Sequence, residues 1–357
     1  MATPLRKILV LAIASIGSLF VKNSILHAQE KTFVINSGDI IKEGIQFHDN
    51  EKYKSAIAEY QKVPENDTNY GLALFELSLS ARVDSQYALA KDAARRALDI
   101  TPNDNEHDLL LQLGSTYDDE KNYDSATIIF NKAIEKYPNS FRAYHSKGIN
   151  LYLKKQYDSA YKYFEKVVYL NPYAFNSHYF LGMLAKEKGY PIQSMMSFAM
   201  CLMLSPGSSR AGQCITNMYH LANLSDTTLK NFNNRKEESF FKEDYSEIET
   251  YFKSKIALEP KYKIQTPLNE AVFKQLNLIC EKLPSAPNNP NDLWASYYAP
   301  IFKTLFDKNL FGGATVIMVS GIQNNDVKKL LKEYKKEMEA AGNLANDKLV
   351  EIGYHGS

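Results

Sequence analysis

Histidine, cysteine and carboxylate side chains are the residues of this 357-residue sequence that could bind a metal ion or carry out catalysis. None of the six histidines after residue 28 is paired at the i, i+4 spacing of a helical zinc site. The sequence lacks a GxSxG nucleophile motif, a phosphate-binding GxxxxGK[ST] loop and a CxxC pair. Neighbouring acids such as Asp118 and Asp119 lie in charged helix ends or turns, where solvated surface is the default role. The pattern therefore predicts no catalytic site, no metal site and no cofactor.

The elements that position these residues repeat along the chain. YDSATIIFNKAIEKYP (residues 123–138) and YDSAYKYFEKVVYLNP (residues 157–172) are 34 residues apart. The same step separates further residues of one type: Gly114, Gly148 and Gly182; Ala126 and Ala160; Phe130, Phe164 and Phe198; and Pro138, Pro172 and Pro206. Upstream the pattern is weaker, and two extra residues fall in the polar turn NDNEHD. A recurring period of this length predicts a repeat architecture.

Each repeat carries two amphipathic helical stripes, because apolar residues recur at steps of three and four on either side of a polar turn such as DDEKN. A glycine inside a helix costs about 1 kcal/mol relative to alanine, so a recurring glycine needs a structural reason. We expect Gly148 and Ala160 to be the small surfaces where the two helices of one repeat cross. The recurring proline ends the second helix, since it lacks an amide hydrogen.

This spacing of small, aromatic and proline residues resembles the tetratricopeptide repeat, a 34-residue helix-turn-helix unit. The resemblance implies an all-α solenoid of about five units followed by a helical carboxy-terminal region. The units are residues 37–70, 71–104, 107–140, 141–174 and 175–208, together the array 37–208. The fifth unit departs from the pattern, because Pro191 replaces the tyrosine and Ser194 replaces the alanine.

The resemblance also implies a partner-binding groove on the concave side, formed by the first helix of each unit. The family's groove positions give the predicted site residues Phe75, Leu79, Leu111, Asp118, Asp119, Arg142, His145, Tyr152, Tyr179 and Met183. We expect the side chains from the fourth and fifth units to form one wall, with the two aspartates opposite. The lysine and asparagine with which some members hold a peptide carboxylate are replaced by Ile41, Ile45, Phe75 and Leu79.

The three cysteines, Cys201, Cys214 and Cys280, cannot all be paired within one chain, so at least one stays free or pairs between chains. Cys201 falls in the inward position that Ala133 and Val167 occupy in earlier units. This placement favours a small buried apolar residue over a redox role.

The first 28 residues have the order of a secretory signal peptide: Arg6 and Lys7, then an apolar run over residues 8–21, then a polar stretch. We expect export to the periplasm and a mature chain that begins near Gln29, with peripheral outer-membrane association as a further option. An uncleaved anchor is the alternative, because Leu26 is not the small residue usual before a cleavage site.

Net charge gives no sign of a nucleic-acid partner. The formal charge is +1, and the signal segment holds three of the 42 basic residues and none of the 41 acidic ones. The mature chain is therefore nearly balanced, which excludes a strong electrostatic footprint for nucleic acid.

Four segments are predicted after the array: a capping helix at 209–223, a helical region at 224–283, a Pro/Asn-rich spacer at 284–291 and a helical subdomain at 292–357. The last segment clusters Trp294, Tyr297 and Tyr298 near Pro300. A similar string follows tetratricopeptide arrays in some Gram-negative envelope proteins. These rings are either a docking patch or, as helical spacing favours, the core of a small helical subdomain.

The sequence as a whole predicts a non-catalytic scaffold of the bacterial cell envelope that binds a peptide or protein partner. Two alternatives stay open. Residues 224–357 could hold an unrecognised enzyme site, or the carboxy-terminal aromatic region could join copies of the chain into a structural assembly.

Overall fold

The structure, a computed structural model, describes residues 36–100, 105–224, 241–286 and 288–355, and every regular element within these ranges is helical. This confirms the predicted all-α class. The predicted signal segment lies outside the described residues. Among the helices that are described, none has both the length and the apolar character needed to span a membrane.

The chain divides into two compact units, with the boundary between Ile100 and Thr101. The amino-terminal unit consists of two helical hairpins. Its helices are α1 (Ser37–Asp49), α2 (Tyr53–Tyr60), α3 (Tyr70–Val83) and α4 (Tyr87–Ile100).

The carboxy-terminal unit begins with three more hairpins and one further helix. These helices are α5 (Glu106–Asp119), α6 (Tyr123–Lys136), α7 (Phe141–Leu153), α8 (Tyr157–Leu170), α9 (Phe175–Glu187), α10 (Pro191–Leu204) and α11 (Ala211–Ala222). Among α1–α10, odd-numbered helices are the first helices of their hairpins and even-numbered helices are the second.

The rest of this unit is also helical. It comprises α12 (Ser246–Ser254), a 3-10 turn (Ile256–Leu258), α13 (Ala271–Lys282), a π-helical turn (Trp294–Tyr298), α14 (Ala299–Asp307), α15 (Phe311–Val319), α16 (Asn325–Glu333) and α17 (Lys335–His355). The π turn runs directly into α14, where Pro300 lacks the amide hydrogen that a continuous α-helix would use.

The recurring glycine lies against an aromatic ring sixteen residues further along the chain. A Cβ atom added at Gly148 would stand 2.8 Å from the Phe164 ring, and one at Gly182 would stand 2.8 Å from the Phe198 ring. Such distances are too short for real contacts, so only glycine fits where the ring packs against this position. The glycines therefore allow close helix crossing, as predicted. The aromatic ring that packs on each glycine was not predicted.

Two serines show that the alanine position also lies at this crossing. Ser78 replaces the glycine in the second repeat, and its hydroxyl donates to the carbonyl of Ala90 at 2.9 Å. Ser194 replaces the alanine in the fifth repeat, and its hydroxyl donates to the carbonyl of Gly182 at 2.8 Å. The second repeat also has Ala94 where the other repeats have the aromatic ring. In the second repeat the larger residue on one helix is thus matched by a smaller one on the other.

The aromatic carboxy-terminal segment packs on the second helices of the fourth and fifth repeats. Trp294 is fully buried, and its indole N–H donates to the Gln193 carbonyl at 3.1 Å and to Ser197 Oγ at 2.8 Å. The ring of Tyr161 on α8 stacks on Trp294 with centroids 5.5 Å apart. Hydrogen bonds and stacking together hold this segment against the repeats.

The structure contradicts the alternative in which these aromatic residues form a docking patch. Trp294, Tyr297 and Tyr298 are all fully buried, so none of them offers a surface to a partner. They are not the core of a separate subdomain either. Tyr297 donates to the Pro172 carbonyl at 3.1 Å, and the Tyr298 hydroxyl lies 2.7 Å from Nδ1 of His178 on α9. The rings instead join the last helices to the repeats in one core.

The predicted spacer is held by two buried carboxylates. Glu243 accepts hydrogen bonds from the backbone N–H groups of Asn288 and Asn289 at 3.3 and 2.8 Å. Asp292 accepts from the N–H groups of Lys242 at 2.8 Å and of Trp294 at 2.9 Å. These bonds tie the described part of residues 284–291 to the chain that precedes α12, so this segment is not a free extended linker.

Candidate partner-binding surface

The first helices of the carboxy-terminal unit are joined in a row by polar side chains. The contacts are Arg142 to Asp108 at 2.5 Å, Asn150 to Asp118 at 2.7 Å, His145 to Ser177 at 2.7 Å and Lys186 to Asn217 at 2.7 Å. These bonds run from α7 to α5, from α7 to α9 and from α9 to α11. In stacked hairpins the first helices line the concave side, so the row defines the candidate surface.

Phe180 is the centre of an aromatic cluster on this row. The rings of His145, Tyr152 and Tyr179 lie 5.9, 5.4 and 5.3 Å from it, each in an edge-on arrangement. Its other face stacks on Phe164 at 5.0 Å. Three predicted groove residues are thus brought together by a buried ring that was not predicted. Its place in the apolar stripe of α9 indicated only a core residue.

Arg210 covers one side of this cluster. Its guanidinium carbon lies 4.6 Å from the ring centroid of Tyr179 and 5.5 Å from that of Phe180. Its side chain donates to Gln213 Oε1 at 2.9 Å, and in the part of the chain that the structure describes it forms no ion pair. Arg210 was not predicted, because it precedes α11 and lies outside the family's groove positions.

We call the partly buried residues His145, Tyr152, Met183 and Arg210, with Tyr179 beneath Arg210, the first-helix patch. Burial, and secondarily the Arg210 charge, lower the pKa of His145 to about 4, so the imidazole is neutral at pH 7. Burial raises the pKa of Tyr152 to about 12, so the phenol also stays neutral. Arg210 is therefore the only charged member of the patch at neutral pH.

The predicted acidic wall is present only in part. Asp118 is buried and accepts the hydrogen bond from Asn150, and burial raises the pKa of its carboxyl group to about 6. The neighbouring amine of Lys147 is also buried, and burial lowers its pKa to about 8. Only Asp119 is exposed, so the two aspartates do not form a matched pair of surface charges.

Other predicted groove residues have different surroundings. Leu111 is buried in the core, and Arg142 is engaged in the ion pair with Asp108. Tyr179 is only 8% exposed, so it supports the surface more than it forms it. Of the predicted fourth- and fifth-unit wall, His145, Tyr152 and Met183 are partly buried members that retain some exposed surface.

Phe75 and Leu79 belong to α3 of the amino-terminal unit, where both side chains are partly buried. This unit has a cavity of about 330 Å³ lined by residues of α2, α3 and α4, and neither of the two predicted residues lines it. Arg96 lies at the cavity, where it pairs with Glu65 at 2.6 Å.

Comparisons with known proteins bear on the hairpins. Two family models, each described as tetratricopeptide repeat, match residues 108–140 and 141–173, which correspond to the hairpins α5–α6 and α7–α8. No curated protein matches the sequence.

Solved structures also resemble the chain at low identity. MamA from Desulfovibrio magneticus RS-1 is 16% identical, with 48% of this chain and 97% of that chain covered and a TM-score of 0.40. PilF from Pseudomonas aeruginosa is 17% identical, with 55% and 96% covered and a TM-score of 0.41. YrrB, described as a TPR protein with an unusual peptide-binding site, is 19% identical, with 55% and 97% covered and a TM-score of 0.37.

At such identities the likeness concerns the helical-hairpin fold alone. The two matched repeats coincide with hairpins that are stacked through a glycine and an aromatic ring, and repeats of this kind support a protein-interaction scaffold. Residues 108–173 of the chain are therefore tetratricopeptide repeats.

Proposed function

We propose that this chain is an exported, non-catalytic scaffold of the bacterial cell envelope that binds a protein or peptide partner on the first-helix patch. The observation that carries the proposal is the arrangement of Arg210. Its guanidinium lies over Tyr179 near the neutral imidazole of His145, and among the described residues it has no ion-pair partner. Aromatic and arginine side chains most often dominate the binding energy of an interface.

The charge of the patch specifies the chemistry of the partner. Arg210 is the only cation among neutral rings and Met183, and it donates hydrogen bonds to the uncharged amide of Gln213 and to the hydroxyl of Tyr179. A partner segment that places a carboxylate next to an aromatic or aliphatic side chain would complement both features, because a planar guanidinium binds a carboxylate through paired hydrogen bonds.

The opposite side of the repeats supports the choice of surface. The second helix of the fifth repeat is buried over nearly its whole length beneath the carboxy-terminal helices. In the fifth repeat the first-helix side is therefore the side that these helices leave open to a partner.

Binding can be tested with a displayed library of random 12-residue peptides selected on the purified full chain. We expect the enriched peptides to carry an acidic residue or to bind through their terminal carboxylate. Their affinity for the Arg210→Glu variant should fall at least about tenfold, since a like charge replaces the cation.

Lys162→Glu is the matched control, because it makes the same charge change at an exposed position on α8. Enriched peptides should bind this variant as they bind the wild type. Peptides that bind wild type and Arg210→Glu equally well would show that the patch is not the binding site.

The proposed location rests on the signal-like order of residues 1–28. Amino-terminal sequencing of the protein from fractionated cells should give a mature chain that begins near Gln29 in the periplasmic fraction. An intact Met1 on the exported protein would contradict cleavage, and recovery in the cytoplasmic fraction alone would contradict export.

A further inference from the structure

Two of the three cysteines occupy matching positions in the hairpin formed by α10 and α11. Cys201 lies three residues before the end of α10, and Cys214 lies three residues after the start of α11. A connection of only six residues makes consecutive helices antiparallel neighbours. Residues equally distant from the turn then lie at the same height along the two helices, which places Cys201 and Cys214 opposite each other.

Burial shows that both side chains point into the interface. Cys201 and Cys214 are each fully buried and belong to the same apolar core. The neighbouring Cys201 thiol, together with burial, holds the pKa of Cys214 far above its ordinary range. Both sulfurs also act on the Tyr179 hydroxyl, because each contributes to the raised pKa of that group. The structure holds both as free thiols, and this shared influence places them in the same part of the core.

Cys280 differs from this pair. It is also fully buried, on α13. Burial raises the pKa of its thiol, and Lys303 is the charged neighbour that counteracts this effect. No other cysteine influences Cys280, so it serves as an internal reference for a buried thiol without a partner.

We propose that Cys201 and Cys214 form an intramolecular disulfide bond that fastens α11 to the last repeat. The bond closes a short loop that contains Arg210 and its turn. It therefore restrains the segment that holds the guanidinium over Tyr179. This assignment is independent of the proposed partner, and it replaces the purely apolar role that the sequence favoured for Cys201.

The chemistry is a thiol–disulfide exchange with an oxidant that itself carries a disulfide. One cysteine thiolate attacks the oxidant and forms a mixed disulfide, and the second thiolate displaces the reduced half of the oxidant. The two cysteines lose two protons and two electrons, and the oxidant becomes two thiols. Because burial disfavours the thiolate, exchange should be slow in the folded protein and faster before the hairpin packs.

The test refolds the full-length, fully reduced chain from denaturant in a buffer of oxidised and reduced glutathione. Free thiols are then alkylated under denaturing conditions, and peptides are analysed by mass spectrometry. We expect a single alkylated cysteine, Cys280, and a linked peptide pair that contains Cys201 and Cys214. Cys280→Ser should retain the linked pair, whereas Cys214→Ser should leave two alkylated cysteines.

A second measurement compares melting temperatures. The oxidised protein should melt roughly 5 °C or more above both its dithiothreitol-treated form and Cys214→Ser, as expected for a bond that closes a short loop. Incubation of the folded, reduced protein with oxidised glutathione provides an arm that does not depend on refolding. Three alkylated cysteines in both arms, or a bond that involves Cys280, would overturn the assignment.

Discussion

The second helices of the third and fifth repeats, α6 and α10, occupy the same place in their hairpins but have opposite surroundings. Ile128 on α6 is 67% exposed, whereas Met196, the residue 68 positions later, is fully buried. The same change affects three sets of equivalent residues along the third, fourth and fifth repeats: Asp124, Asp158 and Ile192; Ile128, Lys162 and Met196; and Lys132, Lys166 and Met200. In each set the first two are exposed and the third is buried.

This difference shows why the fifth repeat departs from the others in sequence. Helix α10 (PIQSMMSFAMCLML) contains no charged residue, and a helix that is apolar on all sides is a buried helix. Its inner side still makes the repeat's own contact, with Gly182 against the Phe198 ring. Its outer side packs on the Trp294–Tyr298 turn and on α15. The departures therefore mark the surface on which the carboxy-terminal region docks.

Removal of the docking tryptophan should have the largest effect on stability. Trp294→Ala deletes a fully buried indole and its hydrogen bonds to α10, so we expect a loss of about 3 to 5 kcal/mol in the free energy of unfolding. Urea unfolding monitored by circular dichroism measures this loss. Tyr219→Ala is the control, because that ring is 55% exposed on α11 and its removal should cost little. Equal losses in the two variants would contradict the docking role of Trp294.

Charge at the equivalent position of α6 and α10 tests the comparison directly. Met196→Lys introduces an unpaired ammonium group into the core, which should cost about 3 kcal/mol of unfolding free energy. Ile128→Lys should be within about 0.5 kcal/mol of wild type, because surface substitutions are usually tolerated. The two midpoints of urea unfolding give the answer, and similar midpoints would mean that α10 is as open to water as α6.

The helix crossing inside each repeat is the part that α6 and α10 share. Gly148→Leu should lower the free energy of unfolding by about 1 to 3 kcal/mol or more, because the side chain is forced against the Phe164 ring. Gly212→Leu on α11 is the matched control, since a Cβ added at Gly212 meets no atom within 4 Å. A Gly148→Leu variant that melts at the wild-type temperature would refute the crossing.

On the first-helix side, Asp118 should make a smaller contribution to the free energy of unfolding, and this contribution should depend on pH. Because burial raises its pKa to about 6 in the folded state, the folded protein holds this proton more tightly than the unfolded chain does. The contribution of this group to stability is therefore largest below about pH 4 and is lost as the pH rises to about 6. Asp118→Asn keeps a carbonyl oxygen for Asn150 and removes the titration, so it should flatten the pH dependence over this window.

Urea midpoints at pH 4, 5, 6 and 7 measure the effect. Asp347→Asn, an exposed substitution on α17, should retain the wild-type profile. A steeper fall in stability between pH 4 and 6 for Asp118→Asn would show that the carboxyl group is not held in its protonated form by burial.

The repeat period allowed the hairpins to be predicted from the sequence, because equivalent residues make equivalent contacts. The same logic identified Gly148 as a helix-crossing residue and brought His145 and Tyr152 to one surface. It did not identify Arg210, since this residue lies in a turn and reaches Tyr179 only through the stacking of α11 on the last repeat.

The aromatic carboxy-terminal segment was left open between a docking patch and a core for a related reason. A cluster of aromatic residues can be interpreted as a docking patch when the helices that it packs on within the same chain are not known. The signal was nevertheless present in the sequence: the absence of charge along α10 indicated a second helix that is covered on its outer side. Only the structure shows that Trp294 provides that cover.

The central claim is that the outer side of α10 is occupied by the chain's own carboxy-terminal helices, which leaves the first-helix patch for a partner. Photo-methionine, a diazirine analogue close in size to methionine, tests this claim without a disruptive substitution, because α10 contains Met195, Met196, Met200 and Met203. After irradiation of the purified protein, mass spectrometry should identify crosslinks from α10 to peptides within residues 294–319. Crosslinks from α10 confined to the repeat helices, with none to that segment, would contradict the account.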